Sequence, residues 1–149
     1  MGKRKDSLRA EPDREPRTQY AALCWRRGAS GGVEVLLITS RETRRWVIPK
    51  GWPIRTMKPG PSAAREAFEE AGVEGEVSKK PVGVYHYDKR LRSGRLQHVR
   101  VPVYALGVSR ELDCWPEMAE RERAWLAPAE AAERVEEPEL RSLIRRFAP

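Results

Sequence analysis

A chain of 149 residues, of which 34% are charged, with a net charge of +7, has the length of a single domain. Its two cysteines, Cys24 and Cys114, are too few for a disulfide framework, and neither lies in a CxxC motif or a Cys/His cluster that would indicate structural zinc. The N-terminal residues include no apolar segment typical of a secretory signal, and no later run approaches the roughly 18 apolar residues of a membrane span. We therefore expect a cytoplasmic protein without a membrane anchor.

The positive charge is concentrated in the middle of the chain. Residues 109–149 contain more acidic than basic side chains, whereas Glu42 is the only acidic residue between positions 41 and 58. The basic residues of that central segment are Arg41, Arg44, Arg45, Lys50, Arg55 and Lys58. Such clustering favours a polyanionic partner, either a phosphate-rich small molecule or a nucleic acid, although charge that only aids solubility is equally compatible with it.

The chain begins with a segment that differs from the rest. Residues 1–16 combine many charges with two prolines and lack aromatic and β-branched side chains, which predicts a disordered tail in front of a domain over 17–149. The domain starts with two apolar runs, Tyr20–Trp25 and Val33–Ile38, separated by a Gly/Ser-rich segment, and this pattern predicts a strand hairpin. A third short strand is predicted at Trp46–Ile48, where a proline ends it.

A loop rich in glycine and proline leads to the first predicted helix. This helix covers Ala63–Ala71, with Ser62 as its N-terminal cap and Gly72 as the glycine that ends it. Turn residues separate the apolar runs that follow. The later strands are predicted at Val82–Tyr87 and Val99–Leu106, a longer hairpin with Pro102 at an edge or bulge, and at Ala124–Leu126. Two closing helices are predicted at Pro128–Val135 and Pro138–Phe147.

The first predicted helix carries three glutamates. Glu66 precedes Glu69 by three residues and Glu70 by four, and side chains at these separations share a helix face. Arg65, four residues before Glu69, can pair with it. Hard divalent cations such as Mg²⁺ prefer clustered carboxylate oxygens, although an isolated cluster of this kind is more often a solvated helix face.

The wider spacing around this helix carries a family resemblance. The segment reads Gly51-x5-Met57-x7-Arg65-Glu66-Ala67-Phe68-Glu69-Glu70-Ala71-Gly72-Val73. This pattern resembles the Nudix box, G-x5-E-x7-R-E-U-x-E-E-x-G-U, in which U is an apolar residue. One defining position differs, because Met57 stands where the family has its first glutamate, and a thioether cannot replace a carboxylate in supporting the outer shell of a metal.

The flanking segments are similar to the branch of the family that hydrolyses diphosphoinositol polyphosphates and dinucleoside polyphosphates. The similar segments are Leu36–Arg41 and Arg45–Pro49 in front of the box and Arg121–Leu126 behind it, so that the resemblance covers about residues 17–130. It implies an α/β fold of the Nudix type, an α/β/α sandwich with a mixed sheet and a catalytic loop and helix.

The resemblance also implies roles for individual residues. Glu66, Glu70 and the backbone carbonyl of Lys50 would hold Mg²⁺ or Mn²⁺, and Glu69 would act as the general base beside Arg65. The substrate phosphates would be bound by side chains on both sides of the box, namely Arg17, Thr39, Ser40, Arg41, Arg45, Arg100 and Arg121. Arginine suits this task because its guanidinium forms bidentate hydrogen bonds with phosphate.

The expected function is metal-dependent hydrolysis of a diphosphate bond in a highly phosphorylated small molecule, such as a diphosphoinositol polyphosphate or a dinucleoside polyphosphate. One alternative is a pyrophosphohydrolase that acts on nucleotides or RNA 5′ ends, which aromatic stacking at the pocket would favour. Another is a non-hydrolytic module that binds a nucleotide or nucleic acid. Three crowded glutamates disfavour this last alternative, so a nucleic acid is the less favoured partner.

Overall fold

The computed structural model describes residues 16–149, so the tail predicted over 1–16 lies, except for Pro16, outside the described residues. The strands of the described part are β1 Arg17–Thr18, β2 Tyr20–Arg27, β3 Val33–Thr39, β4 Trp46–Val47, β5 Lys50–Gly51, β6 Val73–Val77, β7 Gly83–Arg90, β8 Leu96–Glu111 and β9 Arg123–Leu126. The helices are α1 Pro59–Ala71, α2 Pro128–Arg134 and α3 Pro138–Arg146. None of the helices within residues 16–149 is long and apolar enough to cross a membrane.

One mixed sheet joins these strands. Its central path runs β1-β8-β2-β3-β4, with β5 beside β2, β9 beside β3, and β6 and β7 beside β8. Strand β8 is parallel to β1 and β2, whereas the other pairs are antiparallel. At Val103, β8 has Gly83 of β7 on one flank and Ala21 of β2 on the other. This 16-residue strand is therefore the centre of the sheet.

Helices cover both faces of the sheet. In β2, Ala21 and Leu23 point to one face and Ala22 and Cys24 to the other, because successive side chains of a strand alternate. The first face packs against α2 and α3 through Ala131, Ala132, Leu140, Leu143 and Ile144. The second packs against α1 through Ala63, Ala67 and Ala71. The predicted α/β/α sandwich with a mixed sheet is confirmed.

The helix of the box is longer than predicted. It begins at Pro59 with Lys58 as its N-cap, so the assignment of Ser62 as the cap was wrong. Proline is favoured in the first turn because its missing N–H would have no intrahelical partner there. Ser62 is instead buried, and its Oγ has no hydrogen-bond partner among the described residues. The predicted end is confirmed, because Gly72 has φ 68° and its N–H donates to Phe68 O at 3.1 Å.

Two strand predictions also need correction. Strand β6 was not predicted, because its exposed Glu74, Gly75 and Glu76 lack the apolar alternation of a half-buried strand. Pro102 is buried within central β8 rather than at an edge. It is tolerated because it lies between the stretch of β8 that pairs with β1, ending at Arg100, and the stretch that pairs with β2, beginning at Val103.

Candidate active site

Two of the three box glutamates meet beside the short strand β5. Glu66 and Glu70, one turn apart on α1, have their carboxyl groups within hydrogen-bond reach of each other. The Lys50 N–H donates to Glu70 Oε1 at 3.3 Å, which fixes this carboxylate against the backbone in front of the helix. At Gly51, a Cβ would overlap the Glu66 carboxylate, so the box requires glycine there to admit the glutamate. The loop and the helix thus build one oxygen-lined pocket.

Burial raises the pKa values of this carboxylate pair. Glu70 is only 7% exposed, and its desolvation raises its pKa to about 8, although the Arg121 and Lys50 charges oppose the shift. Burial also raises the pKa of Glu66 and lowers that of the Lys50 ammonium to about 8. A bound divalent cation would favour the ionised form of both glutamates, and their hard oxygen donors suit Mg²⁺ or Mn²⁺. The residues present therefore fit the metal that the family resemblance implies.

The third box glutamate lies elsewhere. Arg65 Nε donates to Glu69 Oε2 at 2.7 Å, and the Glu69 side chain does not line the cavity that Glu66 and Glu70 line. Two carboxylates converge rather than the predicted three, because Arg65, four residues earlier on the helix, holds Glu69 along a different side. Accordingly, no group of three or more metal-binding side chains forms within residues 16–149.

The carboxylate pair opens into a cavity of about 620 Å³. Of the predicted site residues, the cavity is lined by Ser40, Arg41, Arg45, Lys50, Glu66, Glu70 and Arg121. The lining residues that were not predicted are Gln19, Glu42, Thr43, Val47, Gly51, Trp52, Tyr87, Asp88, Lys89, Arg90, Leu96 and Glu117. Residues from five distant segments thus meet at this cavity, which has room for a ligand much larger than a single phosphate.

The loop after β3 and the loop before β9 form one wall of the cavity, and hydrogen bonds connect them. Arg121 Nη1 donates to Thr39 O at 3.1 Å, its Nε donates to Glu117 Oε1 at 2.8 Å, and its Nη2 lies 3.9 Å from Glu70 Oε2. Arg44 has φ 59° and donates to Glu120 O at 2.9 Å. The arginine side chains of this wall are therefore fixed in place by neighbouring oxygens.

Three predicted substrate-binding residues do not line the cavity. Thr39 is 3% exposed, and its Oγ1 accepts the Glu122 N–H at 2.9 Å, so it joins two loops instead. Arg100 is the cross-strand partner of His86, on the face of β8 opposite Val99 and Val101. Arg17 is not a lining residue, and its guanidinium lies 4.1 Å from the ring of Trp52, which does line the cavity. These side chains were assigned from short patterns that do not determine which face of a strand they occupy.

The most informative lining residues that sequence reasoning missed are Tyr87, Lys89, Arg90 and Glu117. Tyr87 OH donates to Gln19 Oε1 at 2.6 Å, and the Lys50 ammonium lies 5.0 Å from the Tyr87 ring. The basic character of residues 88–96 was visible in the sequence, but the sheet order that brings this hairpin to the box was not. Glu117 follows the box by more than forty residues and carries no motif, so nothing in the sequence indicated it.

Met57 lies in a surface groove that is separate from the cavity of Glu66 and Glu70. It is 40% exposed and lines a groove of about 320 Å³ together with Pro61, Ala64, Arg65, Phe68, Glu74, Gly75 and Leu106. The position that holds the first glutamate in the family pattern therefore lies beside Arg65 rather than beside Glu66 and Glu70.

Known sequences that are similar to this chain support the resemblance to the Nudix family. The family model described as NUDIX domain matches residues 17–147. Nudix hydrolase 12, mitochondrial, of Arabidopsis thaliana is 36% identical over 104 residues, covering 68% of this chain and 51% of that protein. Diphosphoinositol polyphosphate phosphohydrolase 2 of Rattus norvegicus is 34% identical over 123 residues, covering 80% of this chain and 63% of that protein. The chain thus spans from about half to just under two thirds of the length of these relatives.

Solved structures share the fold at lower sequence identity. A C. elegans Ap4A hydrolase has a TM-score of 0.63 and 19% identity, covering 89% of this chain and 96% of that chain. The NUDIX domain of Shewanella oneidensis NrtR complexed with ADP ribose has a TM-score of 0.64 and 14% identity, covering 88% and 86%. The resemblance predicted from Gly51–Val73 is confirmed over nearly the whole described chain. This protein belongs to the Nudix family.

Proposed function

We propose that the protein is a metal-dependent hydrolase that cleaves a diphosphate bond in a highly phosphorylated small molecule. The observation that carries this proposal is the pair of buried Glu70 and half-buried Glu66 in a cavity that arginine and lysine side chains also line. A diphosphate repels an attacking water by its own charge, so hydrolysis needs cations around the phosphates and a carboxylate that orients or deprotonates the water. Both kinds of group are present in this cavity.

The roles of the residues follow from their positions. Glu66 and Glu70, with the backbone carbonyl of Lys50, would hold Mg²⁺ or Mn²⁺, which when bound would neutralise phosphate oxygens and activate a water. Arg41, Arg45 and Arg121 would bind phosphate oxygens. The Ser40 hydroxyl would donate a hydrogen bond to one of these oxygens. The substrate classes that we propose are the diphosphoinositol polyphosphates and the dinucleoside polyphosphates, in line with the similarity to the rat phosphohydrolase.

We retain Glu69 as the general base. Its pairing with Arg65 is no obstacle, because both side chains are at least one third exposed and lie four residues apart on a helix. An exposed pair of this kind contributes only about 0.3–0.5 kcal/mol, so Glu69 can leave Arg65 when a metal and a substrate enter.

A hydrolysis screen tests the proposal. The substrates would be a diphosphoinositol polyphosphate, diadenosine pentaphosphate, ADP-ribose, nucleoside triphosphates and RNA with a 5′-triphosphate, each with Mg²⁺, with Mn²⁺ and with chelator. We expect chelator-sensitive hydrolysis of the first two, measured as inorganic phosphate from the diphosphoinositol polyphosphate and as two adenosine nucleotides from diadenosine pentaphosphate. No hydrolysis of any substrate with either metal would leave a binding module as the better description.

Trp52 supports a second candidate, a pyrophosphohydrolase of nucleotides or RNA 5′ ends. Its indole lines the cavity and has the Arg17 guanidinium near its ring, an arrangement on which a nucleobase could stack. Preferred cleavage of triphosphate RNA in the same screen, weakened by Trp52→Leu, would favour this candidate.

A further inference from the structure

We infer that Trp115 is a positioning residue, which fixes the place of Glu117 beside the carboxylate pair of α1. The inference rests on the proposed function and deepens it, because Glu117 lines the cavity in which we expect hydrolysis. Trp115 does not line the cavity itself. Both residues belong to the loop that connects β8 to β9, which covers residues 112–122 and which we call the β8–β9 loop.

The C-terminal end of α1 is held by the β8–β9 loop and by the first residue of β9. The last carbonyls of a helix have no partner within the helix, so donors from elsewhere must satisfy them. Successive carbonyls at this end each accept such a hydrogen bond: Glu69 O from Glu117 N–H at 3.0 Å, Glu70 O from the Trp115 indole N–H at 3.2 Å, Ala71 O from Arg123 Nη1 at 2.7 Å, and Gly72 O from Leu112 N–H at 2.8 Å. The loop is therefore attached directly to the turn of α1 that carries the box glutamates.

The Trp115 indole packs on Gly72, just beyond the last residue of α1. A Cβ at position 72 would overlap the indole ring, so the absence of a side chain there admits the ring. The Arg123 guanidinium lies over the indole at 4.0 Å from a ring centroid, which adds a cation–π contact. Trp115 is half-buried, whereas its neighbours Cys114 and Pro116 are exposed. The indole is therefore the apolar anchor of this part of the loop.

A short turn connects this anchor to Glu117. The Met118 N–H donates to Trp115 O at 3.3 Å, so Glu117 lies inside a turn that begins at Trp115. The Glu117 carboxylate lines the cavity and accepts a hydrogen bond from Arg121 Nε at 2.8 Å. A turn leaves few conformations to the residues within it, so the place of the indole determines where the Glu117 carboxylate lies. Removing the indole N–H leaves the Glu117 N–H as the nearest remaining hydrogen bond between this turn and α1.

The experiment compares Trp115→Phe with Trp125→Phe. Phenylalanine keeps an aromatic ring at each position and removes the indole N–H. Trp125 is the matched control, because its indole N–H also donates a hydrogen bond, to Glu111 Oε1 at 3.1 Å, and the Arg26 guanidinium lies 4.2 Å from its ring. Its acceptor is a side chain of β8 rather than a carbonyl of α1, and Trp125 does not line the cavity.

Two properties would be measured for each variant. The first is kcat and KM on the substrate that the hydrolysis screen identifies. The second is the amide hydrogen exchange of the Glu117 N–H, followed by NMR in chelator without substrate. The Ser78 N–H, which donates to Ala105 O at 2.8 Å, serves as the reference for a general loss of stability.

We expect Trp115→Phe to lower kcat about 5-fold, the scale of one hydrogen bond, and to raise the exchange rate of the Glu117 N–H about 5-fold relative to the reference amide. KM should stay within about twofold, because Arg121 keeps its hydrogen bond to Thr39 O. Trp125→Phe should change neither kcat nor the exchange of the Glu117 N–H.

The same substitution in a Glu117→Gln background shows whether Trp115 acts through Glu117. In that background, Trp115→Phe should lower kcat by less than about twofold, because the carboxylate that it positions is already absent. A full 5-fold loss there, equal effects of the two tryptophan variants, or unchanged exchange of the Glu117 N–H would overturn the inference. Absence of hydrolysis by the unmodified protein would instead refute the proposed function, and the exchange measurement would still decide whether Trp115 holds Glu117 in place.

Discussion

Glu69 and Glu117 are the two candidates for the general base. The motif assigns the general base to Glu69, which in this structure is paired with Arg65 outside the cavity, while Glu117 lines the cavity and accepts a hydrogen bond from Arg121 at 2.8 Å. We expect Glu69→Gln to lower kcat at least ~10²-fold, as the loss of a positioned base does. Glu117→Gln should lower kcat less, because its carboxylate is held by Arg121.

Single-turnover rates of the two variants at saturating metal decide between the residues. Glu74→Gln, on exposed β6 outside the cavity, is the matched control and should retain full activity. If Glu117→Gln abolishes turnover and Glu69→Gln does not, the base lies outside the motif.

Thr39 is the residue whose role the structure changes most. Its Oγ1 accepts the Glu122 N–H in a buried position, so Thr39→Val leaves that N–H without its partner. We expect the free energy of unfolding to fall by about 1–3 kcal/mol in urea titrations, while KM stays within about twofold. Thr43→Val, which removes an exposed hydroxyl that contacts Ser40, should have little effect on stability. A 10-fold rise in KM at unchanged stability would return Thr39 to the substrate-binding set.

At the scale of elements, the loop before α1 and the first turns of the helix work together. Met57 and Arg65 line the same groove, so a carboxylate at position 57 can pair with Arg65 and compete with Glu69 for it. We expect Met57→Glu to lower the half-saturating metal concentration about 10-fold, because Glu69, once released from Arg65, would add its full negative charge beside Glu66, on which it already acts. The melting temperature should not change, because Met57 is 40% exposed.

Met57→Gln is the control for charge, because glutamine has the size of glutamate but is neutral. It should leave the half-saturating metal concentration unchanged. Lower stability of Met57→Glu at an unchanged metal requirement would mean that Met57 matters only for packing.

The sequence predicted those elements whose signals are local. Helix α1 and its end were predictable because the spacing of the box, the helix-forming residues and Gly72 all indicate a helix that ends at the same position. The helix starts earlier than predicted because Pro59 was interpreted as part of a loop. Strand β6 was missed because its position at the edge of the sheet leaves most of its side chains exposed. The contribution of Lys89, Arg90 and Glu117 to the cavity depends on sheet order and loop pairing, which no short pattern encodes.

At the scale of the whole molecule, metal binding should be measurable as stability. A cation that binds the folded protein but not the unfolded chain adds about 2.7 kcal/mol at a hundredfold excess over its dissociation constant. For a chain of 149 residues this corresponds to a rise in melting temperature of about 5–10 °C. Differential scanning calorimetry with Mn²⁺ and with chelator measures it. The rise should be absent in Glu70→Gln and unchanged in Glu74→Gln, and a full rise in Glu70→Gln would place the metal elsewhere.

Ion pairs within the protein provide counter-ions for the cavity arginines Arg41, Arg45 and Arg121. Glu120 neutralises Arg41, Glu136 and Glu137 neutralise Arg45, and Glu117 neutralises Arg121. A phosphate that binds one of these arginines must displace a carboxylate, so each such contact is an exchange of anions and yields little net free energy. Free phosphate and singly charged metabolites, which are abundant in cells, should therefore bind weakly. A ligand that displaces several carboxylates at once adds these small gains together, so we expect affinity to rise steeply with the number of phosphates on the ligand.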